Sequence, residues 1–213
     1  MSSEAIGGGQ FGVERSKAAA LAPRFGSIVL ARHGEPKLSR KIRLSAAEYR
    51  EWWARYEEGG LLEGQIPPLH ITDAAKQAEL IFASTRARSI ETARAVAGEK
   101  TFTSDEIFIE APLPPPAFPG FVRLPPRAWG VIARFWWWFL GHHDGQETKA
   151  QAKLRAAQAA TRLHERASEG HDVLVVAHGF FNTMVGLELQ RKGWRCVHDQ
   201  GFSYWSTRRF ERG

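Results

Sequence analysis

Two short runs of branched apolar residues, far apart in the chain, both stop at a histidine followed by a glycine. One reads Ser27-Ile28-Val29-Leu30-Ala31-Arg32-His33-Gly34-Glu35, the other Val173-Leu174-Val175-Val176-Ala177-His178-Gly179. Such runs suit strands buried on both faces, the kind found in parallel sheets. The glycine lets the backbone turn sharply or come close to a neighbour. Both histidines are thus expected where a strand ends and a loop begins, the edge at which open α/β sheets bind ligands. Two strand-end histidines, one preceded by arginine, point to a site for a phosphoryl group.

The segments between these runs read mostly as helices. Ser45-Ala46-Ala47-Glu48 has the hydroxyl and carboxylate of a capping box and opens a predicted helix, about 46–58, stopped by Gly59-Gly60. Tyr49, Trp52, Trp53 and Tyr56 put an aromatic stripe along it. Thr72-Asp73 is read as the cap of a short helix, 79–83 as a second strand ending at Ser84, and 86–96 as a helix. Residues 106–110, Glu-Ile-Phe-Ile-Glu, read as a short strand before a proline-rich stretch, 112–126. Pro125-Pro126 suit the first turn of a tryptophan-rich helix to Leu140. A helix over 148–167, another over 181–190 and a last strand over 202–210 complete the pattern. Strands alternating with helices give an α/β fold: a mainly parallel central sheet with helices on both faces.

Three stretches in this order resemble the histidine phosphatase superfamily, the phosphoglycerate-mutase-like family. Arg32-His33-Gly34-Glu35 is similar to its signature; Ser84-Thr85-Arg86-Ala87-Arg88-Ser89-Ile90-Glu91-Thr92-Ala93 to its arginine motif, aligned so that Arg88 and not Arg86 takes the phosphate-binding place; Ala177-His178-Gly179 to its second histidine. The resemblance implies a three-layer sandwich. It also implies a phosphohistidine nucleophile at His33, phosphate binding by Arg32, Arg88 and His178, and charge stabilisation by His178. Planar guanidinium forks match phosphate oxygens, and a neutral imidazole nitrogen attacks phosphorus. Glu110 falls where the family carries its general acid, between apolar flanks; Glu35 is the rival position. Ser84 either adds a hydroxyl or merely ends its strand, and the second reading is preferred. No metal or other cofactor is expected, since His142-His143-Asp144 lacks the spaced partners of a closed site.

The activity expected is metal-independent hydrolysis of a phosphomonoester, of the histidine acid phosphatase type, on a small molecule or a phosphoprotein. Two alternatives stand beside it: a phosphoglycerate mutase-type phosphotransferase, and a non-catalytic phospho-ligand-binding or interaction protein. Pro36-Lys37-Leu38-Ser39 departs from the serine, tryptophan and asparagine typical of mutases. The net charge of +6 favours anionic ligands, yet the basic residues are scattered and no nucleic-acid partner is expected. The chain has one cysteine, Cys196, and no apolar run of ~20 residues. A cytoplasmic location without membrane insertion is therefore expected. Residues 1–25 read as a flexible leader and 26–213 as one domain. The tryptophan-rich segment, apolar nearly all round, reads as a helix buried against two neighbours, the aromatic stripe among them, with a homodimer interface, a lid or a membrane-surface contact as the other readings.

Overall fold

The computed structural model describes residues 24–212. The expected leader therefore lies outside the described residues except for Arg24 and Phe25. Six strands form one sheet in the order β3-β2-β4-β1-β6-β5. They are β1 (Ile28–Arg32), β2 (Leu80–Ser84), β3 (Thr103–Asp105), β4 (Val173–Ala177), β5 (Arg195–Asp199) and β6 (Thr207–Glu211). The first four run parallel, and β6 and β5 extend the sheet antiparallel. The two histidine-bearing strands are direct neighbours, with Ile28 opposite Val173 and Arg32 opposite Ala177.

Six α-helices surround the sheet: α1 (Ala46–Glu58), α2 (Leu69–Gln77), α3 (Ala87–Ala97), α4 (Pro126–Phe139), α5 (Lys149–Ser168) and α6 (Gly179–Arg191). Alternate residues of each central strand face opposite layers, as the pleat requires. Ile28, Leu30, Val173 and Val175 join the core made with α5 and α6, whereas Val29, Ala31, Leu174 and Val176 join the one made with α2 and α3. That two-sided burial is why both strands are apolar throughout. Alanines 152, 156, 159, 160 and 167 line the inner face of α5, and Asn182 of α6 donates to the Ala31 carbonyl at 3.0 Å.

The α1 and α4 helices form a separate cap with its own aromatic core. Ser45 and Glu48 make the expected capping box. Tyr49, Trp52 and Tyr56 are buried with Trp129 of α4, which stacks on Tyr49 at 6.1 Å and donates to the Leu44 carbonyl at 2.6 Å. The tryptophan-rich helix is thus packed against the aromatic stripe, but on one side. Trp129, Ala133 and Trp137 point inward, and Val131, Phe135 and Phe139 are exposed.

Several local expectations differ. The strand expected over 202–210 is β6, Thr207–Glu211, and β3 was not anticipated. Helix α2 starts at Leu69, directly after Pro68, whose fixed φ leads into the first turn; Thr72 and Asp73 lie inside it. The strand expected over 106–110 is instead a 3-10 turn, Glu106–Phe108, because the Asp105 carboxylate accepts from the Ile107 amide at 2.9 Å and caps it. Strand β5, at the polar sheet edge, was not anticipated.

Replacing Trp129 by alanine removes the centre of the cap. We expect a loss of about 3–5 kcal/mol, read as a lower urea midpoint with reduced near-ultraviolet dichroism; an unchanged midpoint would show that the cap adds nothing to the stability of the fold.

Candidate active site

His33 and His178 meet because their strands pair in register. The His33 amide continues the ladder, donating to the Ala177 carbonyl at 3.0 Å, and the two rings lie edge to face with centroids 5.2 Å apart. Both are almost completely buried. The His33 Nδ1–H donates to the Gly34 carbonyl at 2.7 Å, because a carbonyl can only accept. This tautomer leaves Nε2 with its lone pair, 3.3 Å from the Arg88 Nε–H.

Arg88 is 1% exposed. Its Nη2 lies 3.3 Å from His178 Nδ1 and 2.8 Å from Glu57 Oε1, and its Nη1 donates to the Tyr56 carbonyl at 3.0 Å. A guanidinium only donates, so His178 Nδ1 accepts, and its Nε2–H is left to donate to the Ser84 hydroxyl at 2.9 Å. Ser84 therefore holds the second histidine as well as ending β2, against the preferred reading of its sequence. Burial first, then the positive charges of Arg88 and Arg32, holds His33 well below the ordinary histidine value. Burial and the charge of Arg88 do the same for His178.

Arg32 leaves the end of β1, donates to the Phe202 carbonyl and lies over the Tyr204 ring at 4.5 Å; burial lowers its pKa. Gly179 makes room for it, since a Cβ there would stand 3.3 Å from the Arg32 side chain. Glu110 follows the 3-10 turn rather than ending a strand. Its Oε1 accepts from the amides of Phe181 and Ala111, both at 3.0 Å, and its Oε2 has one long contact, 3.4 Å, from the Phe180 amide. The carboxyl group thus sits at the amino end of α6, where the free amides of the first turn hold it in place. Arg32, His33, Arg88, Glu110 and His178 all line one cavity of about 370 Å³. Glu35 is exposed and outside it; its backbone is held from both sides by the Gln65 side chain.

Several contributors escaped the sequence reading. Glu57 lies four residues after Trp53 and eight after Tyr49, on the aromatic stripe of α1, and it pairs with both Arg88 and Arg86. Arg86 is therefore ion-paired with Glu57 at the edge of the site. Thr92 accepts from the Gly34 amide at 3.0 Å and donates to the Arg88 carbonyl at 2.7 Å, tying the histidine turn to α3. Trp205 lies against Gly34 so closely that a Cβ there would come within 2.4 Å of the indole; the glycine admits a tryptophan. Trp205 has a left-handed φ of 64°, and Gln65 accepts its indole N–H at 3.0 Å. The single sequence signal for it was the alternation over 202–210, read as strand. Among the described residues no group of three or more His, Cys, Asp or Glu side chains could hold a metal ion, and no helix is long and apolar enough to cross a membrane.

The model of the histidine phosphatase superfamily (branch 1) matches residues 72–198. The chain belongs to the histidine phosphatase superfamily. The matched stretch includes Ser84, Arg88, Glu110 and His178; Arg32 and His33 precede it, separated by the cap helix α1, and the β1–β4 pairing brings them to the same place. Solved members with this fold include a phosphoglycerate mutase from Bacillus anthracis, with 16% identity, TM-score 0.56 and 89% of each chain covered. Phosphoserine phosphatase from Entamoeba histolytica is 19% identical with TM-score 0.51, covering 78% of this chain and 80% of its own. The mycobacterial glucosyl-3-phosphoglycerate phosphatase is 18% identical with TM-score 0.52, covering 79% and 81%. At these identities the likeness is one of fold. No curated protein matches the chain by sequence.

The buried neutral histidines couple stability to pH. Below the ordinary histidine pKa of 6.5 the unfolded chain takes up protons that the folded one refuses, so stability falls as pH falls. The expected slope is about 1.4 kcal/mol per pH unit for each histidine, from about pH 6.5 down to the folded-state pKa. His33→Gln should remove one histidine's share, measured as urea unfolding free energy at several pH values against wild type. Parallel profiles for the two proteins would contradict a buried neutral His33.

Proposed function

We propose that the protein is a metal-independent phosphomonoesterase that works through a phosphohistidine on His33. The observation that carries this reading is the His33 ring itself, with Nδ1–H fixed on the Gly34 carbonyl and Nε2 left as a lone pair against Arg88. Phosphoryl transfer needs little beyond an in-line nucleophile, positioning and charge stabilisation on the non-bridging oxygens. The Nε2 lone pair attacks phosphorus; the N–P bond forms as the P–O bond breaks, and the leaving oxygen takes a proton from Glu110. The Gly34 carbonyl then faces a ring that has become positive, which it stabilises.

Arg32 and Arg88 bind the transferring group. His178 is neutral in the free site because of burial and its cationic neighbours. A phosphoryl dianion among those cations reverses the balance and favours a proton on Nδ1, so that His178 joins as a donor to the developing charge. For the acid step Glu110 Oε1 stays on the α6 amides and Oε2 carries the proton. In the second half-reaction the resulting carboxylate takes a proton from water, whose oxygen attacks phosphorus; the P–N bond breaks and its electron pair returns to Nε2.

Hydrolysis of phenyl phosphate with EDTA present is expected, with labelled phosphoryl trapped on His33. His33→Ala should abolish it with the fold intact, and Arg88→Ala should lose about 2–4 kcal/mol of transition-state stabilisation. A metal requirement, label on another residue, or transfer to a second substrate without phosphate release would each overturn the reading. Glu110→Gln should slow phosphoenzyme formation from alkyl phosphates far more than from aryl phosphates, whose leaving groups need little protonation. Equal loss in the burst for both classes would make Glu110 a binding group instead.

A further inference from the structure

The cavity carries far more positive charge than one phosphoryl group requires. Five arginines line it, Arg32, Arg40, Arg88, Arg127 and Arg134, against the single carboxylate of Glu110. Arg32 and Arg88 stand with the histidines, and Glu57 offsets part of Arg88's charge from behind. The other three lie on the cap side of the cavity, Arg127 and Arg134 on α4 and Arg40 against Tyr56 of α1. Arg134 reaches to within 4.0 Å of Glu110 and lies over the Phe180 ring at 3.7 Å. Arg40 donates to the Tyr56 hydroxyl at 2.6 Å, yet its Nε is buried without a partner among the described residues.

Tyr49 supplies the second, independent sign. It is fully buried, stacked between Trp52 and Trp129, and its hydroxyl has no hydrogen-bond partner among the described residues. Leaving such a group unmade is costly. Tyr49 and Gly130 of α4 both line the cavity, and a Cβ on Gly130 would stand 3.7 Å from the phenol oxygen. A glycine inside a helix is disfavoured, and here it leaves no side chain of its own beside the phenol oxygen.

We propose that this cap side of the cavity is a second oxyanion subsite, in which Tyr49, Arg40 and Arg134 take a carboxylate or phosphate carried by the leaving group. The proposal rests on the phosphomonoesterase reading for the orientation of the substrate, with its phosphoryl group at His33 and its scissile oxygen at Glu110. The second anion then lies just past the acid, against Arg134. The subsite sets specificity; the transfer chemistry does not pass through it.

Non-hydrolysable phosphonates test this by calorimetry on the full chain. Benzylphosphonate is compared with its 4-carboxy and 4-phosphonomethyl derivatives, and propylphosphonate with 3-phosphonopropionate, so that two lengths are sampled. At least one anion-bearing ligand should bind roughly 10-fold or more tightly than its parent, the size of one charge-assisted hydrogen bond. Whether the carboxylate or the second phosphonate gains more identifies the group. Tyr49→Phe and, separately, Arg134→Met should cut that ratio severalfold; comparing ratios within one variant cancels any general loss in the pocket. Ratios near one at both lengths, or ratios unmoved by both substitutions, would overturn the subsite while phenyl phosphate turnover leaves the activity standing. Failure to bind benzylphosphonate or to turn over phenyl phosphate would instead sink the phosphomonoesterase reading, and the subsite with it.

Discussion

The buried guanidinium of Arg88 is the contact on which the rest of the site depends. It touches both histidine rings, the carbonyl of Tyr56 and the carboxylate of Glu57, so it joins the end of α1 to the carboxyl edge of the sheet. A cation at 1% exposure is tolerable only when its donors are satisfied and its charge is met. Glu57 meets the charge, and the backbone of α1 accepts what the histidines leave. The cap is therefore part of the electrostatics of the site as well as its wall. Without α1 in place Arg88 would be buried unpaired, and His178 would lose the donor that fixes its tautomer.

The same contact explains why the aromatic stripe is where it is. Tyr56 lies under Arg88 at 4.8 Å and under Arg40 at 4.9 Å, so the ring faces two cations. The rings of Tyr49, Trp52 and Tyr56 then stack down the helix to Trp129. Large apolar area makes the cap cohere, and its edge next to the sheet is a surface on which guanidinium groups rest. Packing and ligand binding use the same residues.

How much of this was legible in the sequence varies with the kind of interaction. The two central strands were readable because β4 and the first four residues of β1 are buried on both faces and apolar throughout. The edge strand β5 was not, because exposure lets its residues be polar. The helices α1 and α4 were announced by a capping box, prolines and glycines, which are local signals; α2 shifted by a few residues because Pro68 outweighed Thr72. At the site, His33, Arg32, Arg88 and His178 stood out as motif residues. Ser84 and Thr92 lie in the arginine motif, but their contacts, like those of Glu57, run between elements, and nothing in their immediate neighbours in the sequence reports what they touch. The fate of residues 106–110 shows the limit from the other side. Their short apolar run fits a strand, but one carboxylate, Asp105, closes a turn locally and so delivers Glu110 to the amino end of α6.

Trp205 shows how the site keeps its geometry. A left-handed backbone for a bulky residue costs on the order of 1 kcal/mol or more, and such a conformation persists only where its surroundings over-determine it. Here three contacts do so: Gln65 accepts the indole N–H, the His70 ring meets the Trp205 carbonyl at 2.8 Å, and the Trp205 amide donates to the His33 carbonyl at 3.3 Å. Gln65 also holds the backbone of Glu35. The turn after His33 is thus fixed from the Thr92 side and from the Trp205 side, with Gly34 too tightly enclosed to move. A proposed nucleophile whose reactive nitrogen is selected by one hydrogen bond to the next residue needs that residue immobile, and the strained tryptophan is what encloses it.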